Sequence, residues 1–165
     1  MIIKNLRKNF FINSFLVLLI FLLDRLSKIY VIYLNNKFLG SEIFSSKFLN
    51  ITLIWNEGIA FGFFAFDEKY YYNILTLIIS LIIIGILIFT LKSNGIQKYA
   101  LLMILGGALG NLFDRIFYRA VPDFFDFHIS DFHWFIFNVA DIFITIGVIF
   151  MILIELISTN KEKNL

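Results

Sequence analysis

Three aspartates, Asp24, Asp114 and Asp141, stand inside long apolar runs, and a fourth, Asp123, follows a proline in the segment Val121-Pro122-Asp123-Phe124-Phe125-Asp126. An ionisable side chain in a membrane span costs at least ~2.5–3.5 kcal/mol on insertion scales, and such residues face a bundle interior or a water-filled cavity and mark function. Two carboxylates brought together in a partly dry site cannot both ionise cheaply, so they share a proton; one then activates water while the other protonates. That is the acid–base pair of aspartic-protease chemistry. Position alone offers two pairings: Asp114 with Asp141 at matched depth, or Asp123 with Asp141, a loop acid with a helix acid. Spacing leaves both open.

The polar residues around these acids narrow the chemistry. In GGALGNLFDR, Gly106 and Gly110 form a small-xxx-small face that lets another helix backbone approach closely, and Asn111 sits one turn before Arg115, so both project into one crowded cavity. A guanidinium there holds an anion or positions a carbonyl, unless it snorkels outward to the interface. Asp24, Arg25 and Lys28 invite a purely structural explanation, in which Asp24 pairs with Lys28 one helical turn along and ties the bundle. A Ser27–Lys28 nucleophile–base dyad is disfavoured because adjacent residues on a helix point apart. His128 and His133 flank Asp131 but, five residues apart on an expected surface loop, lack a convincing metal spacing and read as solvated or interfacial, so no metal is expected. With no cysteine in the chain, thiolate metal sites, disulfides and cysteine nucleophiles are excluded.

What must position these residues is set by composition. The 165 residues are 60% hydrophobic, include 22 Phe, and have 16% charged residues with a formal net charge of +2; the mean hydropathy is +0.87. So large an apolar excess needs lipid as a second solvent, which excludes a soluble globular enzyme; the low charge excludes disorder, and scattered Lys and Arg give no basic stripe for nucleic acid. Four apolar stretches, at about 10–34, 70–91, 99–118 and 134–157, match the ~20 residues a membrane-crossing helix needs. Lys4, Arg7, Lys8, Lys92, Lys98, Lys161 and Lys163 gather on one side, against Lys37, Lys47, Lys69 and Arg119 on the other. The positive-inside rule then puts both termini in the cytoplasm and the loops at about 35–69 and 119–133 outside. Asp24 and its basic neighbours follow the first apolar run instead of a small-residue cleavage site, so that run reads as a retained span. Lys47–Trp55 is rich in β-branched and aromatic residues and predicts a small extracytoplasmic strand element. The expected fold is therefore an all-α polytopic membrane protein, a single domain of four spans with a small β element and a short amphipathic loop segment. Some of the Phe residues would line an apolar groove at the outer leaflet.

Five ordered blocks now carry a resemblance: Asp24-Arg25-Leu26-Ser27-Lys28, Asn56-Glu57-Gly58-Ile59-Ala60-Phe61-Gly62, Gly106 to Arg115, Val121-Pro122-Asp123-Phe124, and Phe137-Asn138-Val139-Ala140-Asp141. The sequence resembles the lipoprotein signal peptidase, or signal peptidase II, family over nearly its whole length. The resemblance implies an aspartic endopeptidase of the bacterial cytoplasmic (inner) membrane that needs no cofactor and cleaves prolipoproteins just before a diacylglyceryl-modified cysteine. It implies Asp123 and Asp141 as the catalytic pair and leaves Asp114 in support. Asn111, Arg115 and Asn138 would orient the substrate or the dyad, Asp24 and Lys28 would stabilise the bundle, and Asn56 and Gly58 would belong to a β-cradle over the substrate. The implied partners are lipid-modified prolipoproteins and membrane lipids, with no nucleic acid. Pro122 departs from the branched aliphatic residue more usual in the family and should stiffen its loop. Two other classes remain for the same acids, a proton-coupled transporter component and a lipid-modifying transferase; both predict no new peptide amino terminus.

Overall fold

A computed structural model describes residues 2–58, 69–130 and 132–163, with the side chains of 2–9, 69 and 160–163 outside that description. The Ile59–Gly62 part of the second block, Asp67, Glu68 and Asp131 thus lie outside the described residues. The chain runs α1 (Ile2–Lys37), β1 (Phe44–Ser45), β2 (Leu49–Asn56), α2 (Lys69–Lys92), α3 (Gly95–Tyr118), β3 (Val121–Ile129), β4 (Phe132–Phe137) and α4 (Val139–Lys163).

Helix α3 lies at the centre, against each of the other three helices and β3. Half of its apolar span is buried, against 11% for α2 and 6% for α4, whose remaining apolar surface is uncovered among the described residues and suits lipid. Glycines make the close packing possible: a Cβ on Gly107 would lie 2.5 Å from the Ala140 carbonyl oxygen, one on Gly106 2.9 Å from Ile20 Cβ, and one on Gly110 would overlap the Asp24 carboxylate. Gly106 and Gly110 therefore receive α1, as the small-residue spacing suggested, while Gly107 receives α4. Helices α2, α3 and α4 are long and apolar enough to cross a membrane. Helix α1 has 36 residues, and its apolar run is interrupted by Asp24, Arg25 and Lys28.

The four strands form one antiparallel sheet in the order β1-β2-β3-β4, with α2 and α3 inserted between β2 and β3. Strand β2 falls where the β-branched run predicted it. Two expectations need correction. The segment expected as an outer loop at about 119–133 is mostly strand. The fourth apolar stretch begins as strand as well: Phe132–Phe137 pair with β3, with Phe125 opposite Phe137 and Asp126 opposite Ile136, so the helix starts at Val139 instead of Trp134. A short apolar run has no periodicity of its own, and pairing with β3 decides its state. Pro122 is accommodated because β4 pairs with β3 only from Phe125 onward, leaving Pro122 with a strand neighbour on the β2 side alone.

Candidate active site

The start of α4 builds one wall of the site. Asn138 is its N-cap and Asp141 its third residue. Their side chains bond reciprocally: the Asp141 amide donates to Asn138 Oδ1 at 3.2 Å, and the Asn138 amide donates to Asp141 Oδ2 at 3.0 Å. This is a capping box with aspartate in the acidic position, and it fixes the carboxylate at the positive end of a helix dipole. Because the helix begins at Val139, Asp141 stands in its first turn, ~3 Å along the axis.

Strand β3 brings Asp123 to the same place. Its Oδ1 accepts from Asn138 Nδ2 at 2.6 Å and its Oδ2 from Asn56 Nδ2 at 2.8 Å. Asp123 is 4% exposed. Burial, reinforced by the charge of Asp141, pushes its carboxyl up to about 6, while the two amide donors hold it back in part. Asn111 completes the bridge, donating from Nδ2 to Asp141 Oδ1 at 2.8 Å and accepting at Oδ1 from Asn138 Nδ2 at 3.2 Å. Three asparagines from β2, α3 and the head of α4 thus span both carboxylates.

Behind Asn111 lies an ionic cluster shut off from solvent. Lys28 Nζ donates to Asn111 Oδ1 at 2.8 Å, Asp114 Oδ2 at 2.7 Å and Asp24 Oδ2 at 2.9 Å. Arg25 meets Asp114 Oδ1 at 2.6 Å and stacks over the Phe113 ring. Asp24 Oδ1 accepts the backbone N–H of Ala140 at 3.0 Å, tying α1 to the head of α4. Asp24 and Lys28 pair as helical spacing suggested, and Asp114 is held between two cations. Ser27 donates to its own helix at the Asp24 carbonyl, so no Ser27–Lys28 dyad forms.

Arg115 turns inward, its Nη2 donating to the Gly58 carbonyl at 2.6 Å, and the Gly58 amide donates to Asn56 Oδ1 at 2.9 Å. The guanidinium therefore positions a carbonyl, one belonging to the chain itself. Asn56, Asn111, Arg115, Asp123 and Asp141 all line one cavity of about 470 Å³, whose apolar wall includes Ile79, Ala108, Phe135 and Ile144. Asp114 and the Asp24–Lys28 pair do not line it.

Sequence reasoning missed two features. The reciprocal cap was visible in principle as Asn-x-x-Asp ahead of an apolar run. The convergence of Asp126, His128 and His133 was not, because it depends on strand register.

The family model described as signal peptidase (SPase) II, Peptidase_A8, matches residues 16–157. The chain is 51% identical over 157 residues to a lipoprotein signal peptidase of Pelagibacter ubique (strain HTCC1062), covering 95% of each. It is 39% identical over 150 residues to one of Coxiella burnetii (strain RSA 331 / Henzerling II), covering 88% of this chain and 89% of the relative. A solved bacterial membrane enzyme superimposes with a TM-score of 0.73 at 31% identity over 90% of both chains.

Proposed function

The chain belongs to the signal peptidase II family and is a membrane protease that cleaves signal peptides from prolipoproteins, and we propose that it does so as an aspartic endopeptidase through Asp123 and Asp141. The observation that carries this reading is the bridged pair of carboxylates on one cavity, with Asn138 donating to Asp123 and bonding reciprocally with Asp141.

The two acids share one proton and titrate as a unit. The ionised carboxylate takes a proton from water as the water oxygen bonds to the scissile carbonyl carbon, and the protonated partner gives its proton to the carbonyl oxygen. Collapse of the tetrahedral intermediate breaks the C–N bond as a proton passes to the leaving amine, yielding a signal-peptide carboxylate and a new amino terminus. Asn56, Asn111 and Asn138 hold the carboxylates in place, and Arg115 with Gly58 shapes the rim. Neither metal nor organic cofactor takes part in this scheme.

The wider setting belongs to the same proposal. Four spans cross the bacterial cytoplasmic (inner) membrane with both termini in the cytoplasm, supported by the exposed apolar faces of α2 and α4 and the distribution of basic residues. The sheet and the dyad face the extracytoplasmic side, where a diacylglyceryl-modified cysteine, held in the outer leaflet, sets the scissile bond beside it. Incubating the purified protein with a lipidated prolipoprotein peptide tests this: mass spectrometry is expected to find a new amino terminus at the lipidated cysteine. No new terminus, as a transporter component or a lipid-modifying transferase would give, overturns it.

A further inference from the structure

At the far end of the β3–β4 hairpin, His128 and His133 stand opposite each other in register. Their rings stack, with centroids 5.2 Å apart and planes inclined by 27°. The register is the unexpected part. Asp126 pairs with Ile136, so regular alternation would place Trp134 opposite His128; a bulge between Asp126 and His128 slips β4 by one residue and puts His133 there instead. The slip also brings His133 Nδ1 to 2.8 and 2.9 Å from the two Asp126 carboxylate oxygens. One ligand atom from each of the three residues then lies within 4.8 Å of the other two.

We propose that Asp126, His128 and His133 form a binding site for a divalent transition metal, Zn²⁺ in the first instance, with water in the fourth position. Two imidazoles and one carboxylate are a donor set that suits this ion class and, having no thiolate, is independent of redox state. A tetrahedral ion with bonds of ~2.0–2.1 Å sets its ligand atoms about 3.3 Å apart, so the widest separation must close by at most roughly 1.5 Å. The His133 side chain, 53% exposed, has room to shift, while the Asp126 side chain, 9% exposed, is the fixed anchor. The site is separate from the dyad, since none of its three residues lines the cavity holding Asp123 and Asp141.

The ion acts as a clamp. It ties β3, which carries Asp123 three residues before Asp126, to β4, which runs directly into Asn138. Occupancy therefore stiffens the two strands that deliver the bridged acids, and metal raises the melting temperature.

Isothermal titration of the full chain in detergent, with any polyhistidine tag removed, tests the proposal with Zn²⁺ as probe. One ion per chain is expected, with affinity falling at least about tenfold in His128→Ala and in His133→Ala, both at side chains that are not buried. Co²⁺ titrated into the wild-type chain is expected to develop the visible absorption of a tetrahedral nitrogen–oxygen site. The proposal is overturned if no saturable binding occurs, if both variants bind as the wild type does, or if Co²⁺ keeps its aqueous spectrum. Any of these outcomes leaves Asp126 and His133 as a metal-free pair.

Discussion

Replacing Lys28 by methionine removes the one cation that joins the ionic cluster to the bridged acids. The Lys28 ammonium is fully buried and places all three of its donors, on Asp24, Asn111 and Asp114. With Arg25 the cluster holds two cations and two carboxylates and sums to zero, so Lys28→Met leaves one uncompensated negative charge in the bundle. Breaking a buried pair by removing one partner costs ~3–5 kcal/mol. The lower end applies here, because Asp114 keeps Arg25 at 2.6 Å and Asp24 keeps the Ala140 amide at 3.0 Å. Adding Asp114→Asn returns the cluster to neutrality, and the cycle of the two changes is expected to show ~1–3 kcal/mol of favourable coupling. Activity should not return with stability, because the anchor that orients the Asn111 amide toward Asp141 is still missing. Reversible unfolding in mixed micelles and initial cleavage rates on the wild type, both single variants and the double variant read these quantities. A loss below ~1 kcal/mol for Lys28→Met, strict additivity, or full activity in the double variant would mean that Lys28 neither neutralises the cluster nor anchors Asn111.

Gly107→Ala drives a methyl group to 2.5 Å from the Ala140 carbonyl oxygen, which must push α4 away from α3; we expect ~1–3 kcal/mol of destabilisation and a larger fall in kcat than in apparent substrate affinity, from unfolding curves and steady-state kinetics. With Asp123 pushed up to about 6 and the singly protonated pair active, kcat/KM should fall about tenfold per pH unit above that value, and Asn56→Leu, which deletes a donor to the ionised form, should move the limb to higher pH. The folded chain holds this proton more tightly than the unfolded chain, so the stability contributed by Asp123 is present at low pH and lost as pH rises from roughly 4 to 6, by up to ~3 kcal/mol. Denaturant titrations of wild type and Asp123→Asn across that window measure the loss, which the variant should not show.

Much of the architecture was legible because lipid imposes simple rules. The charge-free apolar run of α2 and the small-residue face of α3 mark their helices in the sequence alone, and intramembrane acids announce that something must neutralise them. The β-branched and aromatic run Lys47–Trp55 marked β2 because its residues fit a pleated, half-buried surface. Pairing was not legible. Trp134–Phe137 is as apolar as a helix start, and only the neighbouring strand makes it β4. Register is further still from the sequence: a one-residue slip decides whether His133 or Trp134 meets His128. Among the acids, spacing kept Asp114 and Asp123 equal, whereas the fold puts Asp114 between Lys28 and Arg25 and Asp123 on a cavity with Asp141. Asn111 was legible as polar and near Arg115, but its place between Lys28 and Asp141 depends on three helices meeting.

In the proposed mechanism Asp123 and Asp141 are the reacting pair and Asp114 is not. Cleavage of a lipidated prolipoprotein peptide by Asp123→Asn, Asp141→Asn and Asp114→Asn, each shown to be folded by its melting curve and compared at equal folded concentration, tests it directly. Asp123→Asn and Asp141→Asn should each fall at least about a thousandfold, as loss of an essential acid or base requires, while folded Asp114→Asn retains measurable turnover. Normal turnover by either of the first two, or an active Asp123→Asn beside a folded but dead Asp114→Asn, would contradict it.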